Sequence, residues 1–186
     1  MSKKQVFRAS YSTLSTWARG DIDRAVEGYF KLATFTTPQM EAGKKFHKEW
    51  ELEVKKTNCM PKVFGGRQIR EFKTERKIVK QVTDWMELVG VIDLNIGSKL
   101  LIDFKTGKTP SGAYTQSFQH KLYQILVPTA DRFEYHHYDQ YKKTTDMSMI
   151  HLTDQTMDEG LNYLLTYGAE MHSYLLENRL YEKYQK

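Results

Sequence analysis

Two neighbouring apolar runs constrain the fold of this chain more than any other feature of its sequence. Residues 85–96 (WMELVGVIDLNI) and 99–104 (KLLIDF) are rich in β-branched and other apolar residues, and residues 95–98 form a short connection between them. Runs joined so closely predict two antiparallel strands of a hairpin, buried in a sheet. No linker or internal repeat interrupts the chain, so we expect one domain, residues 1–186, around this sheet.

Apolar periodicity predicts helices and further strands around this hairpin. Helical spacing is found in four segments: residues 10–30, broken near Gly20; 38 to about 54; 113–126; and 154–186. Strand-like patterns are found in three more: residues 68–82, 132–141 and 147–152. The first helices belong to an N-terminal helical segment, residues 1–35, and the last is a closing helix capped by Asp154. This order of elements predicts an α/β or α+β unit.

Composition excludes several classes of protein. The segment MSKKQVFR at the start lacks the apolar core of a signal peptide, and no apolar stretch is long enough to span a bilayer, so we expect a soluble, cytoplasmic protein with no membrane partner. Cys59 is the only cysteine, which excludes an intramolecular disulfide and any four-cysteine zinc or iron–sulfur site. The net charge of +5 favours an anionic partner, although it also serves solubility.

Asp103 and Lys105 lie two residues apart at the end of the second apolar run. On a strand, residues at this spacing point to the same face. Three other acid–x–lysine pairs occur, beginning at Glu53, Glu71 and Glu75, but only Asp103 follows an uninterrupted apolar run. A buried carboxylate needs a cation or several hydrogen-bond donors. The pair therefore predicts either a cation site or a structural ion pair.

A second aspartate is expected to lie close to Asp103. Asp93 and Asp103 are symmetric about residue 98, which falls in the predicted turn, so a hairpin makes them cross-strand neighbours. Carboxylates that close raise each other's pKa unless a metal ion or a lysine compensates. Two carboxylates with one further donor suit Mg²⁺ or Mn²⁺.

Other polar residues are candidates for the same site. His47 lies on the apolar face of the helix from residue 38, one turn after Gly43, whose missing side chain lets that helix approach another element. It is a third ligand or a hydrogen-bonded core histidine. Gln119 and Tyr123 share one helix face, which contacts a substrate or is a polar surface. We interpret Glu75 as a surface charge.

Four segments resemble, in order and spacing, the RecB-like branch of the PD-(D/E)XK nucleases: GKKFH (43–47), GVID (90–93), IDFKTGK (102–108) and QHKLY (119–123). ASYSTLSTW (9–17) is similar to the opening of that branch, and the resemblance extends to about residue 127. It implies an α/β fold with a restriction-endonuclease-like core, a central mixed sheet flanked by helices. Lacking the cysteines of some relatives, the chain is similar to the stand-alone members that hold no iron–sulfur cluster.

The resemblance also implies a role for each residue of the site. It implies that Mg²⁺ or Mn²⁺ is bound by three side chains and one backbone carbonyl, those of His47, Asp93, Asp103 and Phe104. Lys105 is expected to orient or deprotonate the attacking water, acting with Asp93 and Asp103 as the catalytic group. Gln119 and Tyr123 are expected to position the DNA phosphates or the lysine.

The expected function is hydrolysis of phosphodiester bonds by a divalent-metal-dependent DNA nuclease. An exonuclease that acts on single-stranded or duplex ends in recombination, repair or replication is favoured, because no separate base-reading module is visible. A homo-oligomer or a recombination or replication partner is expected to supply processivity. The alternative is a non-catalytic nucleic-acid-binding protein that retains the nuclease fold.

Overall fold

A computed structural model of the chain describes residues 5–32 and 36–184. Six strands are present in this part of the chain: β1 (Phe7–Ser10), β2 (Phe72–Gln81), β3 (Met86–Ile96), β4 (Leu100–Thr106), β5 (Arg132–Asp139) and β6 (Thr144–His151). The α-helices are α1 (Tyr11–Ala18), α2 (Ile22–Phe30), α3 (Pro38–Thr57), α4 (Ser111–Tyr114), α5 (Gln119–Leu126), α6 (Asp154–Glu177) and α7 (Leu180–Tyr184). None of the helices in these two ranges combines the length and apolarity needed to cross a membrane.

The six strands form one mixed sheet flanked by helices. Its order is β1-β3-β4-β5-β6, and β2 pairs with the remaining edge of β3. The β1–β3 and β4–β5 pairs are parallel, and the β2–β3, β3–β4 and β5–β6 pairs are antiparallel. The expectation of an α/β fold with a central mixed sheet is confirmed.

β3 shares one of its edges between two partners. On the other edge, β2 pairs with residues 87–92 and 94–96. On the shared edge, β1 pairs with residues 86–89 and β4 pairs with residues 94–96. Residues 90–93 of β3 therefore have no strand partner on that edge among the described residues, and we call this gap the fork.

The sheet separates two apolar clusters, and β4 contributes to both. Leu101 belongs to the larger cluster, which includes residues of α1, α2, α5 and α6. Ile102 and Phe104 belong to the smaller cluster, together with Trp50 and Val54 of α3. Because side chains alternate along a strand, Asp103 and Lys105 point toward the α5 side of the sheet.

α5 packs against the fork at a glycine. A Cβ atom at Gly90 would lie 2.5 Å from Leu126 Cδ1 and 3.2 Å from Tyr123 Cε1, so a larger residue here would displace these side chains of α5. The Tyr123 hydroxyl donates a hydrogen bond to the Val91 carbonyl oxygen at 2.7 Å. The side chain of Tyr123 thus satisfies a backbone acceptor that no strand reaches.

Some predicted elements were wrong in type or in extent. Residues 7–10 were assigned to the N-terminal helical segment, but they form β1, which is too short to show an alternating pattern. The segment 113–126, predicted to be a single helix, forms two helices. The Thr115 hydroxyl donates a hydrogen bond to the Gly112 carbonyl oxygen at 2.7 Å, and the first helix ends there because this side chain competes with the backbone donors.

The cap of the closing helix is also corrected. Asp154 is the first helical residue, and Thr153 is the cap: its hydroxyl accepts from the Thr156 N–H, and the Thr156 hydroxyl accepts from the Thr153 N–H. The two short helices broken near Gly20 are confirmed. Residues 1–4 and 33–35 of the N-terminal segment and 185–186 of the closing segment lie outside the described residues.

Candidate active site

Asp93 lies at the inner end of the fork. The β3–β4 ladder ends at the Leu94–Ile102 pair, and one step further in the same register Asp93 is opposite Asp103, as the mirror relation predicts. Instead of a ladder bond, the Phe104 N–H donates to Asp93 Oδ2 at 2.8 Å. The carboxylate thus fills the place where the two strands diverge.

α3 brings His47 to the same place. Thr37 caps the helix through its side chain and Pro38 occupies the first turn, where a missing N–H has no cost. A Cβ atom at Gly43 would lie 3.0 Å from Thr106 Oγ1, which confirms that this glycine permits a close approach to β4. His47 Nδ1 lies 3.3 Å from Asp93 Oδ2. Burial lowers the pKa of His47, but Asp93 and Asp103 outweigh burial, and the pKa is raised.

Glu75 joins His47 and Asp93 from β2. One ligand atom of each of these three residues lies within 4.8 Å of the others. Burial, and then the charge of Asp93, raises the pKa of the Glu75 carboxyl. Glu75 is exposed, as the interpretation of it as a surface charge requires, but that interpretation did not include this convergence of α3, β2 and β3.

The backbone of Glu75 is unusual for a residue within a strand. It lies between the Thr74–Leu94 and Arg76–Ile92 pairs, opposite Asp93, and its φ of +48° is in the left-handed region. A residue other than glycine adopts this conformation at a cost, and such costs concentrate at functional sites. The sequence does contain a signal for this position. Residues 75 and 93 are symmetric about residue 84, between β2 and β3, just as residues 93 and 103 are symmetric about residue 98, so an antiparallel pairing of β2 with β3 places Glu75 opposite Asp93.

Asp103, Lys105 and Gln119 form a closed polar triangle on the α5 side. Lys105 Nζ lies 2.6 Å from Asp103 Oδ2 and donates to Gln119 Oε1 at 2.9 Å, while Gln119 Nε2 donates to Asp103 Oδ1 at 2.5 Å. Asp103 is 4% exposed, and burial raises its pKa to about 6 although Lys105 opposes the shift. Burial lowers the pKa of Lys105, but Asp103 outweighs it, so the lysine is charged at neutral pH.

The other predicted residues hold this arrangement in place. Gln119 and Tyr123 are both buried, so a solvated helix surface is excluded for them. The Phe104 ring packs against Trp50 and Phe64 in the smaller cluster, and its N–H is taken by Asp93. A contact of Gln119 or Tyr123 with DNA, and a contact of the Phe104 carbonyl with a metal ion, stay predictions.

A cleft of about 1050 Å³ lies next to the candidate metal ligands and Lys105. His47, Glu75, Asp93 and Lys105 line it, and Lys44 and Lys48 of α3 also contribute to its walls. The imidazole and carboxylate groups of its lining suit a divalent cation, while the lysines suit an anion. The cleft can therefore hold a cation and an anionic substrate together.

No protein-family model matches the sequence, and no curated protein sequence matches it. Solved structures do match the fold. The alkaline exonuclease LHK-Exo from Laribacter hongkongensis is 10% identical with a TM-score of 0.59, over 96% of this chain and 95% of that one. The same enzyme in complex with dAMP is 13% identical with a TM-score of 0.60, over 97% and 93% of the two chains.

A phage-related exonuclease from Haemophilus somnus 129PT is also similar. It is 10% identical with a TM-score of 0.55, over 87% of this chain and 83% of that chain. At such identities the likeness establishes the fold alone. The chain has the α/β fold of these exonuclease structures.

Proposed function

We propose that this protein is a divalent-metal-dependent DNA nuclease. The observation that carries the proposal is the convergence of His47, Glu75 and Asp93, from three elements, on a cleft whose wall holds Lys105. The fold shared with exonucleases and the RecB-like segments of the sequence both support it. We further propose that residues 1–186 form one domain of the RecB-like PD-(D/E)XK type, without an iron–sulfur cluster.

The donor set suits a hard divalent cation. Two carboxylates and an imidazole, with ligand atoms within 4.8 Å of one another, match the preferences of Mg²⁺ and Mn²⁺. We propose His47, Glu75 and Asp93 as ligands, with Asp103 and the Phe104 carbonyl completing the set. Such an ion supplies Lewis acidity, which lowers the pKa of a bound water and offsets charge on a phosphoryl group.

Lys105 is proposed to act as a charged hydrogen-bond donor. Asp103 and Gln119 hold its ammonium group at the cleft wall, and its side chain keeps 22% of its surface exposed. A lysine that remains charged orients water and stabilises phosphoryl oxygens, because its protons face the developing negative charge. Proton abstraction by Lys105 is not favoured, because its pKa is raised.

The proposed substrate is a DNA end, single-stranded or duplex, in recombination, repair or replication. Hydrolysis at an end requires no base-reading module. We propose that a second copy or a recombination or replication partner supplies processivity in the cytoplasm.

Digestion of end-labelled DNA with Mn²⁺ tests the activity. We expect the wild type to release nucleotides and Asp103→Ala to lose roughly 100-fold or more in rate, since Asp103 holds Lys105 and is a proposed ligand of the ion, the two groups that stabilise transition-state charge. Asp131→Ala is the matched control: this aspartate is exposed and pairs only with Lys99 in the described residues. No cleavage by the wild type, or equal cleavage by Asp103→Ala, contradicts the proposal.

Calorimetric titration with Mn²⁺ tests the ligand set separately. We expect Glu75→Gln to weaken Mn²⁺ binding by about tenfold or more, because one anionic ligand becomes neutral. Unchanged affinity excludes Glu75 as a ligand. A wild type that binds DNA but shows no heat with Mn²⁺ would favour the non-catalytic binding protein.

A further inference from the structure

A second cavity adjoins the proposed catalytic cleft. This cavity, of about 270 Å³, is lined by Gln39, Thr106, Gly107, Lys108, Gln140 and Tyr141. It shares Gln39 and Thr106 with the cleft, and Thr106 directly follows Lys105. A strand whose phosphodiester lies beside Lys105 therefore needs to extend only past Thr106 to reach the cavity that Tyr141 lines.

Tyr141 is presented by a tightly bonded turn. It lies between β5 and β6 and keeps 57% of its surface exposed, the most of any large hydrophobic side chain in the described residues. Asp139 Oδ1 accepts hydrogen bonds from the N–H groups of Tyr141 (2.9 Å) and Lys142 (3.1 Å). The Asp139 carbonyl accepts from the Lys143 N–H at 2.8 Å. The exposed ring thus sits on an ordered backbone.

The opposite rim of the cavity is ordered as well. The Gly107 N–H donates to the Tyr138 carbonyl at 3.3 Å, and its own carbonyl bonds His137 Nε2 at 2.8 Å. Next to it, Lys108 Nζ lies 4.9 Å from the centroid of the Tyr141 ring. An exposed aromatic ring and a lysine therefore face one cavity from two anchored loops.

This pairing matches the chemistry of an unpaired nucleotide. A nucleobase stacks on an aromatic ring whatever its identity, and a lysine binds the adjoining phosphate. Lys142 and Lys143 are exposed beside the ring and add positive charge, which an apolar protein partner would not require. A duplex end offers its bases already stacked and paired, so a single strand fits this surface better.

We propose that Tyr141 and Lys108 form a subsite for an unpaired nucleotide of single-stranded DNA. The base stacks on the free face of the Tyr141 ring, and Lys108 binds the phosphate. The inference rests on the proposed nuclease function, because it assigns the strand that the cleft receives. Tyr141 is a positioning residue here, since it contacts the substrate away from the cleaved bond.

Binding of a short single strand in EDTA tests the subsite without hydrolysis. The probe is a 12-nucleotide strand that carries 2-aminopurine, whose fluorescence is quenched by stacking, at successive positions in separate samples. We expect quenching at one or two adjacent positions with the wild type and with Tyr141→Phe, which keeps the ring. Tyr141→Ala is expected to abolish this quenching and to weaken binding about tenfold.

A matched lysine pair controls for charge. Lys108→Ala is expected to weaken binding severalfold and to lower its salt dependence, because one phosphate contact is lost. Lys183→Ala removes an exposed lysine that lies 4.8 Å from the Tyr184 ring centroid, a similar pairing outside both cavities, and is expected to bind as the wild type does.

The outcomes separate this inference from the proposed function. Equal quenching by Tyr141→Ala, no position-specific quenching by the wild type, or equal affinity for a blunt duplex overturns the subsite. Since these measurements are made in EDTA, absence of cleavage with Mn²⁺ overturns the nuclease activity independently of the stacking result.

Discussion

At the residue scale, Asp103 places an ionisable carboxyl group in the interior of the protein. Burial raises its pKa to about 6 from 3.8, although the nearby Lys105 ammonium acts against that shift. The folded chain therefore binds a proton at this carboxyl more tightly than the unfolded chain does. Its contribution to stability is complete below pH 3.8 and is lost as the pH rises toward 6.

Comparison with Asp103→Asn isolates this contribution. We expect the free energy of unfolding of the wild type, relative to that of the variant, to fall by roughly 1–3 kcal/mol between pH 4 and pH 6 and then to level off. Urea unfolding in EDTA at a series of pH values measures it. If the free energy of unfolding of Asp103→Asn depends on pH as that of the wild type does, this assignment is contradicted. The control Asp131→Asn, at an exposed site, is expected to show the same pH dependence as the wild type.

At the element scale, the position of α5 depends on how closely α6 approaches it. A Cβ atom at Gly160 would lie 2.9 Å from the Lys121 carbonyl oxygen and 3.0 Å from its carbonyl carbon, which are backbone atoms of α5. At Gly168 the nearest atom is the terminal methyl carbon of Met86, at 2.6 Å. Since α5 carries Gln119 and Tyr123, the packing of α6 against α5 at Gly160 also sets the geometry of the fork.

The two glycines make a matched pair for mutation. Alanine at either position gains roughly 1 kcal/mol of helix propensity. We expect Gly160→Ala to lose about 1–3 kcal/mol overall, because backbone cannot yield without separating the helices, and Gly168→Ala to lose less, because a methionine end can rotate. Urea unfolding compares them, and the reverse order of stability would contradict this account of the crossing.

At the scale of the whole molecule, the site joins the two sides of the sheet. His47 reaches it from α3 on the side of the smaller cluster, whereas Asp103 and Lys105 bond Gln119 on the α5 side. At the fork, Asp93 contacts His47 of α3 and accepts a hydrogen bond from the Phe104 N–H of β4, next to Asp103 and Lys105 in the chain. Neither apolar cluster includes a side chain proposed as a metal ligand, so we expect the fold to form without a bound ion.

Chelation should therefore leave the fold intact. We expect EDTA to leave the far-ultraviolet circular dichroism spectrum unchanged, and saturating Mn²⁺ to raise the melting temperature by a few degrees. The increase should be smaller at pH 5.5 than at pH 7.5, because the raised pKa values of His47 and Asp103 let protons compete with the ion. Loss of helical signal on chelation, or an equal increase at both pH values, would contradict this expectation.

The sequence by itself determined the elements whose signals are local. The hairpin of β3 and β4 and the helix α3 follow from apolar periodicity and turn residues, and the mirror relation placed Asp93 opposite Asp103 because a short connection sets the register. Gly43 was predicted to allow close packing because a missing Cβ can be seen in the sequence alone.

Only the tertiary structure decided which distant edges pair. β1 joins β3 across more than seventy residues, and this pairing, with that of β4, creates the fork that Asp93 and Tyr123 occupy. Glu75 reaches the site through a left-handed backbone conformation within a strand, which no propensity predicts. Tyr141 lines the second cavity because two loops from different parts of the chain meet there. These features depend on packing between distant segments, whereas the periodicity of apolar residues in the sequence reports only on local secondary structure.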